Sequence, residues 1–204
     1  MATDSRGPDD LVSFDSDTPF WDRVFLVSSL VVVGTREGSG WNMAPKHLAM
    51  PLSWQDDYGF VCTPRHATYH NVREHGTFTV SYPRPSQVVV SSLTASPRCG
   101  DEEKGPILDA LPTWPAPNVD GIFLRDAYFF LECELTRIVD GFGDNSLIAA
   151  KVVAAHADRD ALRGSERDDA AAVAGASPLV YLSPGRYAEL ERSHAFPFPA
   201  GFRK

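Results

Sequence analysis

Cysteine is scarce in this chain. Three residues (Cys62, Cys99 and Cys133) among 204 are widely spaced, with no Cys-x-x-Cys pair. An odd, sparse set excludes a disulfide framework and a zinc ribbon, and reads as the reduced thiols of a cytoplasmic protein. Positive charge is not in excess either: 19 basic against 27 acidic side chains give a net charge of −8. The footprint expected for nucleic acid or an anionic membrane surface is therefore missing. No apolar run approaches the ~20 residues of a membrane span. The polar, acidic start MATDSRGPDD does not read as a secretory signal or transit peptide. The chain lacks G-x-G-x-x-G, a P-loop and an alternating βαβ pattern, which excludes the two commonest nucleotide folds. It also lacks G-x-S-x-G, and no Ser or Cys has a local reason to be activated, so hydrolase chemistry has no support.

What is present is enough apolar material for one core, 43% of the residues, divided by many turns (Pro 16, Gly 15). Residues 1–17 read as a mobile acidic arm, 18–191 as one domain, and 192–204 as an extended Phe/Pro tail with no helical option. Thr18-Pro19 predicts a helix start, with Phe20, Trp21, Val24 and Phe25 as its apolar stripe. Ser29–Arg36 is β-branched and continuous, the mark of a strand buried on both faces. After the turn Glu37–Gly40, Trp41–Ser53 is the partner strand, and Pro45 and Pro51 require an edge, bulge or bend there. Tyr58–Thr63, Thr77–Pro83, Val88–Leu93 and Pro178–Leu182 are further strand candidates, with a short helix near Ile107–Leu111. Ala127–Gly143 and Asn145–Asp158 read as long strands joined by a Gly-Phe-Gly-Asp turn, and 159–176 as a surface helix or loop. Seven or eight strands with two or three short helices predict a mainly β barrel or sandwich.

The chemistry-bearing residues cluster in PRHATYHN. His66 and His70 have helical metal-ligand spacing, but with Thr68 as N-cap they do not share a helix face, and no metal set forms. Cys133, alternating with Leu131 and Leu135, reads as a core thiol, with Glu132 and Glu134 on the solvent side. Arg65, His66 and Thr68 converge on a helix start, where free amides and a partial positive charge favour a phosphate. Simple capping beside an exposed arginine is the alternative reading of that stretch.

Company decides between them. Gly34-Thr35-Arg36, Asn42-Met43-Ala44-Pro45, Arg65 through Val72, Gly76-Thr77-Phe78-Thr79-Val80, Leu131–Leu135, Gly143-Asp144-Asn145 and Tyr181-Leu182 through Gly185 and Tyr187 follow in order. Over roughly residues 25–190 this order resembles the flavin reductase-like family of FMN-binding split barrels. The resemblance implies a mainly β, Greek-key split β-barrel with a few short helices, forming a homodimer. It implies FMN as cofactor (FAD the alternative), NAD(P)H as hydride donor, and a partner monooxygenase that uses the reduced flavin. The matching positions imply a flavin site of Asn42, Ala44, Pro45, Lys46, His47, Thr63, Arg65, His66, Ala67, Thr68 and Asn71. Two departures stand out. Lys46-His47 replace a small hydroxyl residue, and Asn145 replaces a histidine, keeping a hydrogen-bond donor that does not titrate near neutral pH. Asn145, and His194 on a tail packed at the flavin rim, are the catalytic candidates. A flavoprotein that keeps FMN and acts on its own organic substrate, or a non-catalytic flavin carrier, are the rival functions.

Overall fold

The computed structural model describes residues 7, 10–15, 17, 20–95, 105–164 and 169–201. Most of the acidic arm, Thr18-Pro19, Cys99 and the last three residues of the tail lie outside them. Twelve strands are found among the described residues: β1 (Leu26–Ser29), β2 (Val31–Glu37), β3 (Gly40–Lys46), β4 (Ala49–Pro51), β5 (Asp57–Cys62), β6 (Thr77–Tyr82), β7 (Thr113–Pro115), β8 (Ile122–Leu124), β9 (Phe129–Phe142), β10 (Asn145–Ala157), β11 (Leu179–Ser183) and β12 (Arg186–Glu189). Four α-helices accompany them: α1 (Ala67–His75), α2 (Val88–Leu93), α3 (Gly105–Ala110) and α4 (Asp169–Gly175). No helix among these residues is long and apolar enough to cross a membrane.

Seven strands form an antiparallel sheet in the order β3-β2-β6-β9-β10-β5-β4. β3 and β4 are consecutive in sequence yet stand at opposite edges, joined only by His47 and Leu48. A link that short forces the sheet to curl until its two edges meet at this point. Both prolines therefore sit on edge strands, where a missing amide donor costs little. Val31 and Val33 face one core, with Phe60, Phe78, Val80 and Ile148, while Val32 faces a second, with Met43, Leu111, Ile122 and Leu124. The continuous valine run is thus buried on both faces, with period two. β1, β11 and β12 make a small separate sheet.

The β7–β8 hairpin lies against β2 and β6 so closely that a Cβ on Gly34 would fall on the Ile122 carbonyl oxygen and Thr79 Oγ1. The loop before β8 is held by Glu132. Its carboxylate is fully buried and accepts hydrogen bonds from the Asn118 amide (2.7 Å), Asn118 Nδ2 (2.8 Å) and the Val119 amide (2.8 Å), with His156 Nε2 at 2.7 Å. Burial works to raise the pKa of Glu132, but these partners outweigh it and hold the carboxyl below its usual range. The solvent-side reading of Glu132 is corrected: the loop covers that face of β9. Glu134 is exposed, as expected.

Other expectations also fail, each for a physical reason. Phe20–Val24 form a turn closed by Arg23 N to Phe20 O at 3.0 Å, not a helix. Trp21, Val24 and Phe25 are exposed, so the apolar stripe finds no surface among the described residues to drive helix formation. Leu26–Ser29 is a strand of its own, paired with β11, so the run divides at Leu30. Val88–Leu93 is a helix, not a strand. Pro85–Gln87 forms a 3-10 turn immediately before it, and Gln87 Oε1 accepts from the Arg84 amide at 3.0 Å, so the chain enters with helical dihedrals despite three valines. The strand total of seven or eight is low because β1, β4, β7, β8 and β12 are only three or four residues long.

Candidate functional site

Two segments distant in sequence are brought together at the edge where the sheet closes. Thr35 on β2 stands opposite Asn42 on β3, and Thr35 Oγ1 accepts a hydrogen bond from Asn71 Nδ2 on α1 at 3.0 Å. All three residues are buried, so this row fixes α1 against the edge strand. At the other end of β3, buried Lys46 brings its charge near Cys62, the last residue of β5, whose thiol donates to the Thr63 carbonyl at 3.6 Å. Burial of Cys62 raises its pKa and Lys46 only partly opposes this, which makes it a structural thiol. The Val61 amide donates to the Leu48 carbonyl at 2.8 Å. Asn42–His47 and Thr63–Asn71 are thereby neighbours.

Between β5 and α1 the chain makes a tight turn, with the His66 amide on the Thr63 carbonyl (3.0 Å) and the Arg65 amide on Thr63 Oγ1 (3.4 Å). This turn starts the helix early. The N-cap is His66, extended at φ −93, and Thr68 is a buried residue inside the first turn, which corrects its assignment as the cap. No side chain caps α1 and no acidic residue occupies its first turn, so the amides at its start are not met by a side-chain acceptor. Gly76 closes the helix with φ 71, as its sequence position implies.

A cavity of about 340 Å³ opens beside this turn, lined by Thr63, Arg65, Tyr69, Asp140, Asp144 and Asn145, among others. The tip of the β9–β10 hairpin supplies the last three. Asp144 Oδ2 lies 2.9 Å from an Arg65 guanidinium nitrogen, with both side chains about three-quarters exposed. Asp140 Oδ1 accepts from Ser146 Oγ (2.6 Å) and the Tyr69 hydroxyl (3.2 Å). Asn145 therefore shares a cavity with Arg65. The Gly-Phe-Gly-Asp turn was visible in the sequence, but only the strand register reveals that Asp144 reaches Arg65: Ser146 pairs with Cys62, which brings the turn beside Thr63.

On the other side of Pro45, His47 is half-buried, and its ring lies 4.6 Å from that of Tyr181. Burial, helped by the charge of Lys46, lowers the pKa of His47 from its ordinary value. Ala44 is half-buried too, and His66 is exposed. His194 is exposed on the tail and lines neither this region nor the Arg65 cavity. Tail residues 192–199 form neither helix nor strand, and Phe196 and Phe198 stay exposed, their rings 4.6 Å from each other.

Residues 24–191 match the family model for the flavin reductase like domain. The fold is similar to that of an FMN-binding protein from Thermus thermophilus with bound 1-cyclohex-2-enone, at 22% identity and TM-score 0.74 over 91% of this chain and 99% of that one. It is similar to flavoredoxin from Methanosarcina acetivorans (14% identity, TM-score 0.75, 94% and 97% coverage). A third likeness is to a homologue of nitrilotriacetate monooxygenase component B from Mycobacterium thermoresistibile (16% identity, TM-score 0.68, 88% and 89% coverage). No curated protein sequence matches. The mainly β split-barrel expectation is borne out.

Proposed function

The chain belongs to the flavin reductase like domain family, and on that premise we propose an FMN-dependent oxidoreductase, most simply an NAD(P)H:flavin reductase. The observation that carries the proposal is the convergence of edge strand Asn42–His47 with the uncapped start of α1. The donor set there fits a flavin phosphate: first-turn amides at Ala67 and Thr68, the Thr63 hydroxyl and the Arg65 guanidinium. The opposing group is Asp144, but a pair this exposed is worth little, about 0.2–1 kcal/mol. Arg65 is therefore readily transferred to a phosphate.

FMN, when bound, accepts a hydride and passes electrons on. The chain has to hold it and keep the reacting partners aligned, which requires stacking and distance control more than an acid or base. Asn42, Ala44, Pro45, Lys46 and His47 would line the ring, with the buried Lys46 cation favouring negative charge nearby. Asn71 holds α1 in place through Thr35. Asn145 would donate a hydrogen bond in the Arg65 cavity, and His194 would reach substrate only from the tail of a second subunit. FAD is the alternative flavin.

The Mycobacterium thermoresistibile relative is described as a homologue of a monooxygenase component. A partner monooxygenase taking reduced flavin, and a homodimer, belong to the same proposal. So does a cytoplasmic location, which suits the free, buried thiols Cys62 and Cys133. A second reading, in which FMN stays bound and acts on an organic substrate, is favoured by the space beside His47 and by the cyclohexenone held by the Thermus thermophilus protein. Steady-state NAD(P)H oxidation with and without free flavin separates the two. Dependence on added flavin supports the reductase; turnover only with an organic acceptor supports the second reading; no oxidation of NADH or NADPH overturns both.

A further inference from the structure

A second cavity, of about 350 Å³, opens between the end of β3, helix α2 and the β11–β12 turn. Its volume suits a small molecule. We propose that it binds a small aromatic carboxylate, laid against the aromatic wall of His47, Tyr181 and Tyr187 with its charge on Arg186 and a hydrogen bond to Ser91. The proposal deepens the flavin reading, because Pro45 and His47 line the cavity and also belong to the segment assigned to the flavin ring.

Ser91 is the strongest sign of a missing ligand. It lines the cavity and is fully buried, yet its Oγ is the one buried side-chain polar atom among the described residues without a hydrogen-bond partner. An unpaired buried hydroxyl destabilises a fold, and alanine would fill the same helical position without that cost. A rotation of the Ser91 side chain toward the cavity would offer this hydroxyl to a partner from outside the protein and remove the anomaly. The walls indicate what kind of partner. The His47 and Tyr181 rings pack on each other, 4.6 Å apart at 34°, and form one aromatic wall that Tyr187 joins, with Leu30, Pro45 and Val88 as apolar lining. Such walls take a flat ring. No carboxylate among the described residues pairs with Arg186, whose planar fork matches a carboxylate better than any neutral group. The Tyr181, Gly185 and Tyr187 motif, which the flavin site does not use, thereby gains a role: the left-handed Gly185 (φ 73) turns the chain so that Arg186 and Tyr187 line the cavity.

Benzoate is the probe and benzamide its neutral counterpart, titrated by calorimetry into the full chain with and without FMN. Benzoate should bind saturably in both states. Arg186→Gln should weaken benzoate by about tenfold and leave benzamide unchanged. Ser91→Ala should raise the melting temperature, since an unsatisfied hydroxyl is removed, while weakening benzoate severalfold. No saturation up to about 10 mM benzoate overturns the proposal. So does equal loss of benzoate and benzamide in Arg186→Gln, or a Ser91→Ala variant that gains stability with benzoate unaffected. FMN binding is followed on the same samples by flavin fluorescence. A protein that binds benzoate but not FMN refutes the flavin reading alone, and one that binds FMN but not benzoate refutes this inference alone.

Discussion

Arg65 and Asp144 allow the phosphate assignment to be tested from both sides of one ion pair. Arg65→Ala should weaken FMN by about 1.5–3 kcal/mol, the scale of a hydrogen bond to a charged group, and leave riboflavin, which lacks the phosphate, unchanged. Asp144→Ala frees the same guanidinium and should tighten FMN by up to about 1 kcal/mol. Equal losses for FMN and riboflavin in Arg65→Ala, or weaker FMN binding in Asp144→Ala, would sink the assignment. Glu132 carries a stability test unrelated to flavin. Because its pKa in the folded state is depressed, its contribution is full above the unfolded-state value and is lost as pH falls through the folded value. Glu132→Gln replaces one of two accepting oxygens with a donor that faces other donors. A loss of about 2 kcal/mol at pH 7, or roughly 5 °C in Tm, is expected, with a shallower fall in stability on acidification. Unchanged stability would mean that the loop 116–121 is held by packing alone. Glu132 also shows why the sequence misleads at this scale. Strand alternation places it opposite Cys133, but whether that face meets water depends on a loop that precedes it in the chain.

Elements were legible where local pattern and global role agree. The valine run of β2, the Pro-marked edge strands, the β9–β10 hairpin and the Gly76 helix end all follow from periodicity or backbone chemistry. Elements were misread where a neighbour decides. Val88–Leu93 has strand composition, but the turn over Pro85–Gln87 hands it helical geometry, and as a helix it forms one wall of a cavity that no strand reading foresees. The sequence marks the α1 start, but the cap lies at His66, two residues before Thr68, because the turn built on Thr63 starts the helix early. The tail belongs to the same scale. Its exposed phenylalanines and exposed His194 leave two roles open, cover for a second subunit or contact with substrate. Truncation after Arg192 separates them. If His194 donates to substrate, turnover should change by about tenfold with FMN affinity and Tm intact. Unchanged kinetics with a lower Tm would assign the tail to covering surface.

At the scale of the molecule the question is what covers the apolar residues that the single chain leaves in water. β1 exposes Leu26 and Val27, and β4, which packs beside it, exposes Met50; Leu48 is exposed on the link between the sheet edges. β1 is also an outer strand, paired among the described residues only with β11, so its far edge keeps backbone groups that no described strand meets. Monomers rarely leave such a face contiguous, and a free edge beside it invites pairing. A second copy is the occupant that fits, and it would lie next to the place where β3 and β4 meet, within reach of the flavin segment. An obligate homodimer of this kind typically buries above ~2,000 Å², mostly apolar. Sedimentation at micromolar concentration should give about twice the 22.3 kDa chain mass. Val27→Asp, which puts a charge on the exposed face of the edge strand, should yield monomer. Because the site then lacks its neighbour, FMN affinity should fall in the same variant by at least about tenfold, ~1.4 kcal/mol. A wild-type chain that sediments as monomer with FMN bound would refute the dimer. A monomeric Val27→Asp protein with unchanged FMN affinity would instead show that each chain holds the flavin without help.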